Sequence, residues 1–348
     1  MNRTKVTIQD IAEAANVSIA TVSRVINNSG KVKDNTRIRV LTAARDLHFD
    51  IGSSPISLLL SELEPEKPKP DTKTGFLVFT PSITNSFYGS VIDGIQSAAI
   101  ANHADCLVIP RNMAELPEHE LRLLIYGTNV SGIITFSLLP DTVLKTDAVN
   151  IPIVQCSESD DDPRYSSIGI DDYTASVNAM EHILGTGKTK VAFINGPANY
   201  RFTKERQQAY VDTMKKHGLP INPQWMIQLP SIGTEMAYST VIQLLLSKDA
   251  PNAFFTISDS LAATVILAAK HAHLHIPNDL VVVGFDDVEI SRLCSPTITT
   301  ISQPKFSMGY SACEMLLEKI YSPQAPVKHT KMGTELLIRG STYSQFTG

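Results

Sequence analysis

The sequence lacks the features of a membrane, secreted or metal-binding protein. No apolar run approaches the ~18–20 residues that span a bilayer, and residues 1–10 are not followed by the apolar segment of a secretory signal. The four cysteines are far apart, with no C-x-x-C pair and no histidine at metal-ligand spacing. We therefore expect a cytoplasmic protein without a metal site or cofactor, whose thiols are buried and reduced: Cys106, Cys156, Cys294 and Cys313.

Common catalytic signatures are also missing from the sequence. The patterns G-x-S-x-G, G-x-x-x-x-G-K-[ST] and H-E-x-x-H do not occur, and the nine histidines form no evident catalytic arrangement. Residues 160–162 are three consecutive aspartates, but consecutive side chains diverge, so we interpret them as a solvated loop rather than a metal site. These absences argue against an enzyme.

Length and charge indicate several domains and one end that suits nucleic acid. A chain of 348 residues is too long for one ordinary domain, and 43% hydrophobic with 19% charged residues is typical of a globular protein. Residues 1–50 hold eight Lys and Arg against five Asp and Glu, a local charge of +3, whereas the whole chain carries −5. This asymmetry permits phosphate contact at the N-terminal end, although an exposed charged face would explain it equally well.

Three short helices are predicted in the first 50 residues. Thr7 is placed to cap the first helix, and Asp10 holds the capping-box position three residues later. Ser18 is placed to cap a second helix after the break at 16–18, and a third spans about 35–49. The pattern predicts two helices about a tight turn, completed by a third into a small core.

The character of the sequence changes between 51 and 74. Prolines at every few positions forbid a continuous helix there, and we predict an extended linker over 61–74. From Gly75 onward, short β-branched or aromatic runs alternate with helical patterns, which favours parallel sheets covered on both faces. The predicted strands lie at 76–79, 106–109, 133–136, 153–154, 191–194, 253–255 and 281–283.

Four motifs carry a resemblance to a known family. They are TIQDIAEAANVSIATVSRVIN at 7–27, VGFDD at 283–287, TTISQP at 299–304 and LIRGS at 337–341. Together they resemble the lactose/galactose repressor family of bacterial transcription regulators, over essentially the whole chain except the linker. Residues 293–304 and the end near 339–342 are similar to its cytidine repressor branch.

The resemblance implies an N-terminal all-α helix-turn-helix domain plus an α/β periplasmic-binding-protein-like sensor of two doubly wound lobes. We expect the DNA-binding domain at 1–50, hinge and linker at 51–74, and the effector-binding and dimerisation domain at 75–348. The expected boundaries are about 75–171 and 304–330 for lobe one, and about 172–303 and 331–348 for lobe two.

Short side chains and one long donor on the second helix suit entry into the major groove. The resemblance puts Ile19, Ala20 and Arg24 at base-reading positions, where Arg24 can bond guanine bidentately and the two apolar residues read features such as thymine methyls. A further set suits phosphate contact, with capping or solvation as the alternative for each member. These are Thr7, Ser18, Thr21, Ser23, Asn27 and Arg37.

The hinge departs from the family pattern. Pro55 lies where the resemblance implies a helix interior, Ile56 replaces the usual basic residue, and the connection to Gly75 is longer. A helix could instead begin with Ser54 as N-cap and Pro55 at its first position, making Leu58, or a leucine next to it, the minor-groove wedge. Whether the hinge inserts stays open.

The resemblance maps an effector pocket onto loops after parallel strands, where polar groups converge in such folds. For Phe87 the alternative is core packing, for Asp286 the capping of a turn, and for Arg206 a surface ion pair. The mapped residues are Phe87, Tyr88, Ser157, Glu158, Tyr200, Arg206, Ser258 and Asp286.

The sequence therefore predicts a repressor that binds operator DNA as a homodimer and responds to a small polar effector. A sugar is the first expectation and a nucleoside the second. A solute-binding protein without DNA function would share the sensor fold but has no use for residues 1–50. The sequence does not decide whether the effector releases DNA or promotes its binding.

Overall fold

The computed structural model describes residues 7–26, 32–33, 36, 39–40, 43–44, 74–141, 143, 151–160, 162–231 and 233–343. Internal contacts divide the chain into two units, Met1–Thr72 and Lys73–Gly348. Across these described ranges, no helix has both the length and the apolar character that a membrane crossing requires. The predicted hinge and linker, 51–74, lie outside the described residues except for Thr74.

The first unit holds the two predicted helices, α1 (Ile8–Ala14) and α2 (Ile19–Ile26). The predicted capping box is confirmed, because Thr7 Oγ1 accepts from the Asp10 amide while the Asp10 carboxylate accepts from the Thr7 amide. The described residues of the predicted third helix, 36, 39–40 and 43–44, are helical. Apolar side chains from all three segments form one core: Ile11, Ala12, Ala15, Val22, Val25, Val40, Ala43 and Ala44.

The second unit begins with a six-stranded parallel sheet in the order β11-β5-β4-β3-β1-β2. In the register of this sheet, Leu77 on β1 lies opposite Leu107 on the edge strand β2 and Ile133 on β3. Strand β1 is almost wholly buried because helices cover both faces of the sheet. The strands are β1 (Gly75–Phe79), β2 (Asp105–Ile109), β3 (Gly132–Thr135), β4 (Ile153–Cys156), β5 (Ser166–Ile170) and β11 (His329–Met332).

A second six-stranded sheet has the order β12-β10-β9-β8-β6-β7. Its strands are parallel except for the antiparallel pair β10 and β12. Buried aromatic side chains fill its centre, and Phe193 stacks on both Tyr210 and Phe255 at 5.3 Å between ring centroids. The strands are β6 (Val191–Asn195), β7 (Met226–Gln228), β8 (Ala253–Thr256), β9 (Val281–Asp286), β10 (Thr299–Ser302) and β12 (Glu335–Leu337).

Eight helices flank the two sheets among the described residues. They are α3 (Ser86–Ala101), α4 (Glu118–Thr128), α5 (Asp172–Gly185), α6 (Arg201–Lys216), α7 (Thr234–Leu245), α8 (Asp259–His271), α9 (Ile290–Leu293) and α10 (Lys305–Tyr321). Two short 3₁₀ segments, Met113–Glu115 and Pro223–Trp225, join them.

The chain passes between the sheets three times: after β5, after β10 and between β11 and β12. Two lobes joined by three crossings are the architecture expected for the sensor. The crossings bring the carboxyl ends of the strands in both sheets toward one cleft, where the following loops and helix starts meet.

Candidate functional site

Helix α2 buries one face in the small core and leaves the other exposed. Val22 and Val25 are buried, whereas Ile19 is 46% exposed and Ala20 and Arg24 are also exposed. The three residues predicted to read bases thus lie away from the core. Contact with DNA stays a prediction for them.

The hydroxyls predicted to contact phosphate at this end have structural roles of their own. Thr7 caps α1, and Ser18 Oγ accepts from the Thr21 amide at 3.2 Å at the start of α2. The Ser18 and Thr21 hydroxyls also lie 2.9 Å apart, and Ser23 is half-buried. The other three residues predicted to bind DNA lie outside the described part of the chain: Asn27, Arg37 and Leu58.

The eight predicted effector residues occupy loops and helix starts that follow buried strands. Phe87 and Tyr88 lie in the first turn of α3, Ser157 and Glu158 follow β4, Tyr200 precedes α6, Arg206 lies on α6, Ser258 follows β8 and Asp286 ends β9. Strands β1 and β4 belong to the first sheet, and β6, β8 and β9 to the second.

The Tyr88 phenol indicates that five of these residues are close together. Burial raises its pKa above the ordinary value, and the neighbouring Tyr200, Glu158 and Asp286 raise it further, whereas the charge of Arg206 lowers it. Groups from both lobes therefore act on one hydroxyl. The Tyr88 ring packs edge-on against Phe136, 5.4 Å between centroids, and this contact fixes its position.

Arg206 is held rigidly by protein groups on several sides. The residue is 5% exposed, and its Nε and Nη2 contact Asp172 Oδ1 at 2.8 and 2.6 Å. Its Nη1 donates to the Ile257 carbonyl at 2.7 Å, and the rings of Phe202 and Phe285 lie 4.8 and 3.5 Å from its Cζ. Arg206 is a buried ion-pair partner, not the surface one considered from the sequence, and two of its five N–H groups are not committed to these bonds.

Glu158 bridges the two lobes. Its carboxylate follows β4 in the first lobe and accepts from the amides of Arg201 and Phe202 at 2.9 and 3.0 Å, in the first turn of α6 in the second lobe. Burial raises its pKa to about 7, although the two amide hydrogen bonds oppose that shift. A carboxylate at a helix N-terminus is favourably placed with respect to the helix dipole.

Asp286 lies at a distorted end of β9. Both it and Asp287 have positive φ, 103° and 53°, a conformation that costs energy for residues other than glycine and is frequent at functional sites. Gln303 Nε2 donates to Asp286 Oδ1 at 2.7 Å, and the Lys305 ammonium donates to the Asp286 carbonyl. Burial raises the pKa of the Asp286 carboxyl to about 7.

Three further predicted residues have structural roles in the fold. Phe87 lies in the main core, and its ring contacts Tyr88 edge-on at 5.3 Å. Ser258 Oγ caps α8 by accepting from the Leu261 amide at 3.4 Å. Ser157 has a φ of 72°, and its amide donates to the Ile168 carbonyl. Effector contact stays a prediction for these three side chains.

Sequence reasoning missed several residues that organise the cleft. Asp172 pairs with the Arg206 guanidinium, and the Phe202 ring packs against the same guanidinium. Gln303 donates to the Asp286 carboxylate, and Lys305 donates to the Asp286 carbonyl. In the sequence, the role of Gln303 could have been found from its place in the 299–304 motif. The role of Asp172 is marked only by its position after a strand. Buried Asp259, at the start of α8, was also missed. Its Oδ2 accepts from the Val288 amide, whereas its Oδ1 has no hydrogen-bond partner among the residues that the structure describes.

A polar pocket lies beside Glu158, where the crossing strands β5 and β11 face the first turn of α6. Its lining includes Asp172, Arg201, Phe202, His329 and Lys331. Two of the residues expected to contact an effector, Ser157 and Glu158, also line it. The pocket therefore adjoins the predicted effector site.

The aspartates at 160–162 are used differently from the solvated loop expected. Asp160 is half-buried, and its Oδ2 accepts from the Leu139 amide and from Gln155 Nε2, both at 2.7 Å. Asp162 pairs with Arg164 at 2.8 Å, and Asp161 lies outside the described residues.

The cysteines differ in part from the expectation of four buried thiols. All four are free, but only Cys156 and Cys313 are buried, and the other two are half-buried.

Comparisons with known proteins agree with this architecture. The family model of the bacterial regulatory proteins, lacI family, matches residues 7–50, and that of the periplasmic binding protein-like domain matches 180–342. The transcriptional repressor CytR of Escherichia coli is 30% identical over 343 residues, which cover 97% of each chain.

Two solved structures of similar fold cover nearly the whole chain. The transcriptional regulator CelR in complex with cellobiose has a TM-score of 0.69 and 23% identity, and covers 97% of this chain and 99% of its own. The lac repressor dimer bound to operator and an anti-inducer has a TM-score of 0.68 and 22% identity, with coverage of 98% and 100%.

A helix-turn-helix unit and a two-lobed unit with a polar cleft define the class of ligand-responsive transcription regulators. The matches over both units confirm the resemblance found in the sequence. The chain belongs to the lacI family of bacterial regulatory proteins and is a DNA-binding transcription regulator. The relatives it matches are regulators and not enzymes.

Proposed function

We propose that this regulator is a cytoplasmic repressor that binds operator DNA as a homodimer and changes its operator affinity when a sugar binds between its lobes. The observation that carries the effector site is the meeting of polar groups from both lobes: Glu158 of one lobe accepts from the Arg201 and Phe202 amides of the other at 2.9 and 3.0 Å, and buried Arg206 lies on the same helix as those amides. The similar fold of the CelR complex with cellobiose supports a sugar, and that of the lac repressor dimer on its operator supports the assembly.

In this proposal residues 1–50 read DNA, residues 51–74 form the connection and residues 75–348 bind the effector. In this proposal Ile19, Ala20 and Arg24 contact bases. Phosphate contact falls to Thr7, Ser18, Thr21, Ser23, Asn27 and Arg37, and Leu58 is the hinge residue that enters the minor groove.

A nucleoside is the second candidate effector. The cleft holds the aromatic rings of Tyr88, Tyr200 and Phe202 together with the carboxyl groups of Glu158 and Asp286, which are able to accept from ligand hydroxyls. Such rings can stack on a base as well as on a sugar face. The similarity to CytR, which includes residues 293–304, favours this alternative.

Sequence selection from random duplex DNA tests the DNA-reading part of the proposal. The purified full-length protein is expected to enrich a near-palindrome, because two identical heads read two half-sites. Arg24→Ala should lose or relax the selected guanine, whereas the Arg122→Ala variant should select the same sequence, because Arg122 lies on α4 with its side chain 43% exposed.

Repeating the selection at two salt concentrations separates specific from nonspecific binding, since phosphate contacts weaken with salt for every sequence. If the wild-type protein binds all sequences equally at both concentrations, with and without candidate sugars and nucleosides, the proposed operator reading is wrong. Analytical ultracentrifugation of the protein alone checks the dimer.

A further inference from the structure

The ammonium of Lys305 joins the two lobes at the second crossing of the chain. Lys305 is the first residue of α10, which packs against β3, β4 and β5 of the first sheet. Its side chain reaches back to the end of β9, in the second sheet, where Asp286 is a proposed effector residue. What this connection does rests on the proposed function, in which an effector binds Asp286.

Three main-chain carbonyls accept from this ammonium. They belong to Asp286, to Asp287 at 3.1 Å and to Gln303 at 3.5 Å. A lysine ammonium has three N–H donors, so these carbonyls can use all of them. Lys305 therefore supports the main chain around Asp286, and we expect no donor to remain for a ligand.

The segment that Lys305 supports is strained. Asp286 and Asp287 have φ of 103° and 53°, a conformation that persists for residues other than glycine only where the surrounding groups hold it. Burial lowers the pKa of the Lys305 ammonium, and three neighbouring aspartates oppose that shift: Asp286, Asp287 and Asp259. A half-buried ammonium needs such partners, so the position of the main chain at 286–287 and that of Lys305 depend on each other.

On its other side, Lys305 continues into a helix that is tightly bound to α3. Helices α10 and α3 meet backbone to backbone, since a Cβ on Gly309 or Gly94 would lie 1.9 or 2.0 Å from a carbonyl oxygen of the opposite helix. The first turn of α3 carries Phe87 and Tyr88, two further proposed effector residues. A movement of the main chain at Asp286 that is passed to α10 would therefore also reach α3.

The side chain and the main chain of Asp286 are held by different residues. Gln303 lies in the crossing segment after β10, and its Nε2 donates to Asp286 Oδ1 at 2.7 Å. Gln303 thus orients the carboxyl that a ligand would contact, whereas Lys305 binds the carbonyl. Loss of the ammonium should leave the ligand's partner in place and remove the link to α10.

From this arrangement we propose that Lys305 is a positioning residue that couples effector binding at Asp286 to the arrangement of the lobes, and through it to operator affinity. An effector bound to Asp286 favours one position of the main chain at 286–287. The Lys305 ammonium keeps α10 in step with that position, so lobe one follows lobe two. Without the ammonium the effector still binds, but its binding no longer favours one lobe arrangement over the other.

Lys305→Met tests this role in the full-length protein, because methionine keeps an unbranched side chain but has no N–H donor. The probes are cellobiose, ribose and cytidine, and the DNA is the operator obtained by sequence selection. Operator dissociation constants are measured with and without each probe, and probe dissociation constants by isothermal titration calorimetry. A coupled effector typically changes affinity by about 5- to 150-fold. We expect a change in that range for the wild-type protein and below about twofold for Lys305→Met, with probe affinity altered by less than about threefold.

Lys319→Met is the matched control, because the Lys319 ammonium also donates to a main-chain carbonyl, that of Ala325, from the far end of the same helix. This variant should keep the wild-type response. Hydrogen–deuterium exchange of the wild-type protein gives a readout that needs no variant. A probe that binds should protect the amides at 286–288 and those at 305–309 together, and in Lys305→Met it should protect only the first group.

A wild-type operator response in Lys305→Met overturns the proposal, and so does loss of probe binding in that variant, which would make Lys305 part of the binding site itself. A wild-type protein that selects no sequence, or that binds none of the three probes, counts against the proposed function and not against Lys305. Exchange without any probe then decides the role of Lys305. Faster exchange at both 286–288 and 305–309 in Lys305→Met supports the connection, and unchanged exchange at either segment overturns it.

Discussion

The carboxylate of Glu158, in one lobe, accepts from the backbone amide of Arg201, in the other, at 2.9 Å. This bond and its neighbour at Phe202 make a residue after β4 the cap of a helix that begins 43 positions later in the chain. The cap couples the two lobes directly because it has one partner in each.

Loss of this cap should weaken the sensor unit measurably. Glu158→Ala leaves two first-turn amides without their acceptor, and we expect it to lower the free energy of unfolding by about 0.5–2 kcal/mol, as for other lost N-caps. Glu158→Gln should cost less because one acceptor oxygen remains. Urea denaturation followed by tryptophan fluorescence measures both, since Trp225 lies in the same lobe as α6.

Glu235→Ala is the control for that comparison, because Glu235 is also a glutamate near a helix start, in the first turn of α7, and is exposed. Equal losses in Glu158→Ala and Glu235→Ala would contradict the capping role.

The ion pair between Asp172 and Arg206 should be costly to break from one side. Both side chains are buried, so Asp172→Ala leaves an uncompensated guanidinium in the interior, and a loss of about 3–5 kcal/mol is expected. The double variant Asp172→Leu/Arg206→Met removes both charges and should recover much of that loss. Chemical denaturation of Asp172→Leu, Arg206→Met and the double variant gives the coupling energy.

The same Asp172 and Arg206 variants should distinguish the effect on effector response from the effect on stability. If Arg206 donates to the ligand, the double variant folds but no longer changes its operator affinity with the effector. A double variant that is as unstable as Asp172→Ala would show that packing, and not charge, holds this part of the cleft.

Stability should decrease as pH rises because of the buried acids at the cleft. Burial raises the pKa of Asp259 to about 8, and those of Glu158 and Asp286 to about 7, above the values of 3.8–4.5 for exposed groups. Between these limits the folded state keeps protons that the unfolded chain has released. Each such group therefore removes stability as pH rises, by up to about 1.4 kcal/mol per pH unit, until it ionises in the folded state too.

Asp259→Asn isolates one of these contributions. The amide cannot ionise, so the fall in unfolding free energy between pH 5 and pH 8 should be smaller in the variant than in the parent. Burial lowers the pKa of His182, which gives an opposite trend near pH 6, but that contribution cancels in the difference. Asp93→Asn, at an exposed carboxyl on α3, is the control. An unchanged slope in Asp259→Asn would mean that Asp259 is ionised throughout.

The strands that sequence reasoning found are those with continuous β-branched or aromatic runs, such as Val281–Asp286. It missed β7, β10 and β12 in the second sheet. In the first sheet it missed β5, whose SSIGI sequence has little apolar character, and the exposed edge strand β11. Both are set by their partners, since β5 pairs with β4 and β11 pairs with β5. Local periodicity does not predict which distant segments pair as strands.

Local rules sufficed for the caps and failed for the cleft. The Thr7 and Asp10 capping box depends on residues three apart, which the sequence shows directly. The bonds of Glu158 to α6 and of Arg206 to Asp172 join residues 43 and 34 positions apart. A sequence reveals that such polar residues follow strands, but the partner of each depends on how the two lobes pack.

Helices α3 and α10 approach so closely that glycine is required at their contact. A Cβ on Gly309 would lie 1.9 Å from the Val91 carbonyl oxygen, and one on Gly94 would lie 2.0 Å from that of Phe306. Backbone atoms cannot move aside as a flexible side chain does, so Gly309→Ala must separate the helices and disturb the packing of lobe one. We expect a loss of at least about 1–3 kcal/mol, as for other overpacked cores.

Gly89→Ala is the matched control for this prediction, because Gly89 lies on the same α3 helix and a Cβ there meets no atom within 4 Å. Since alanine favours a helix over glycine, Gly89→Ala should stabilise the protein slightly, by about 0.5–1 kcal/mol. Thermal unfolding of the two variants gives opposite shifts if close helix packing is the cause. A Gly309→Ala protein with an unchanged midpoint would show that α3 and α10 are farther apart than this contact requires.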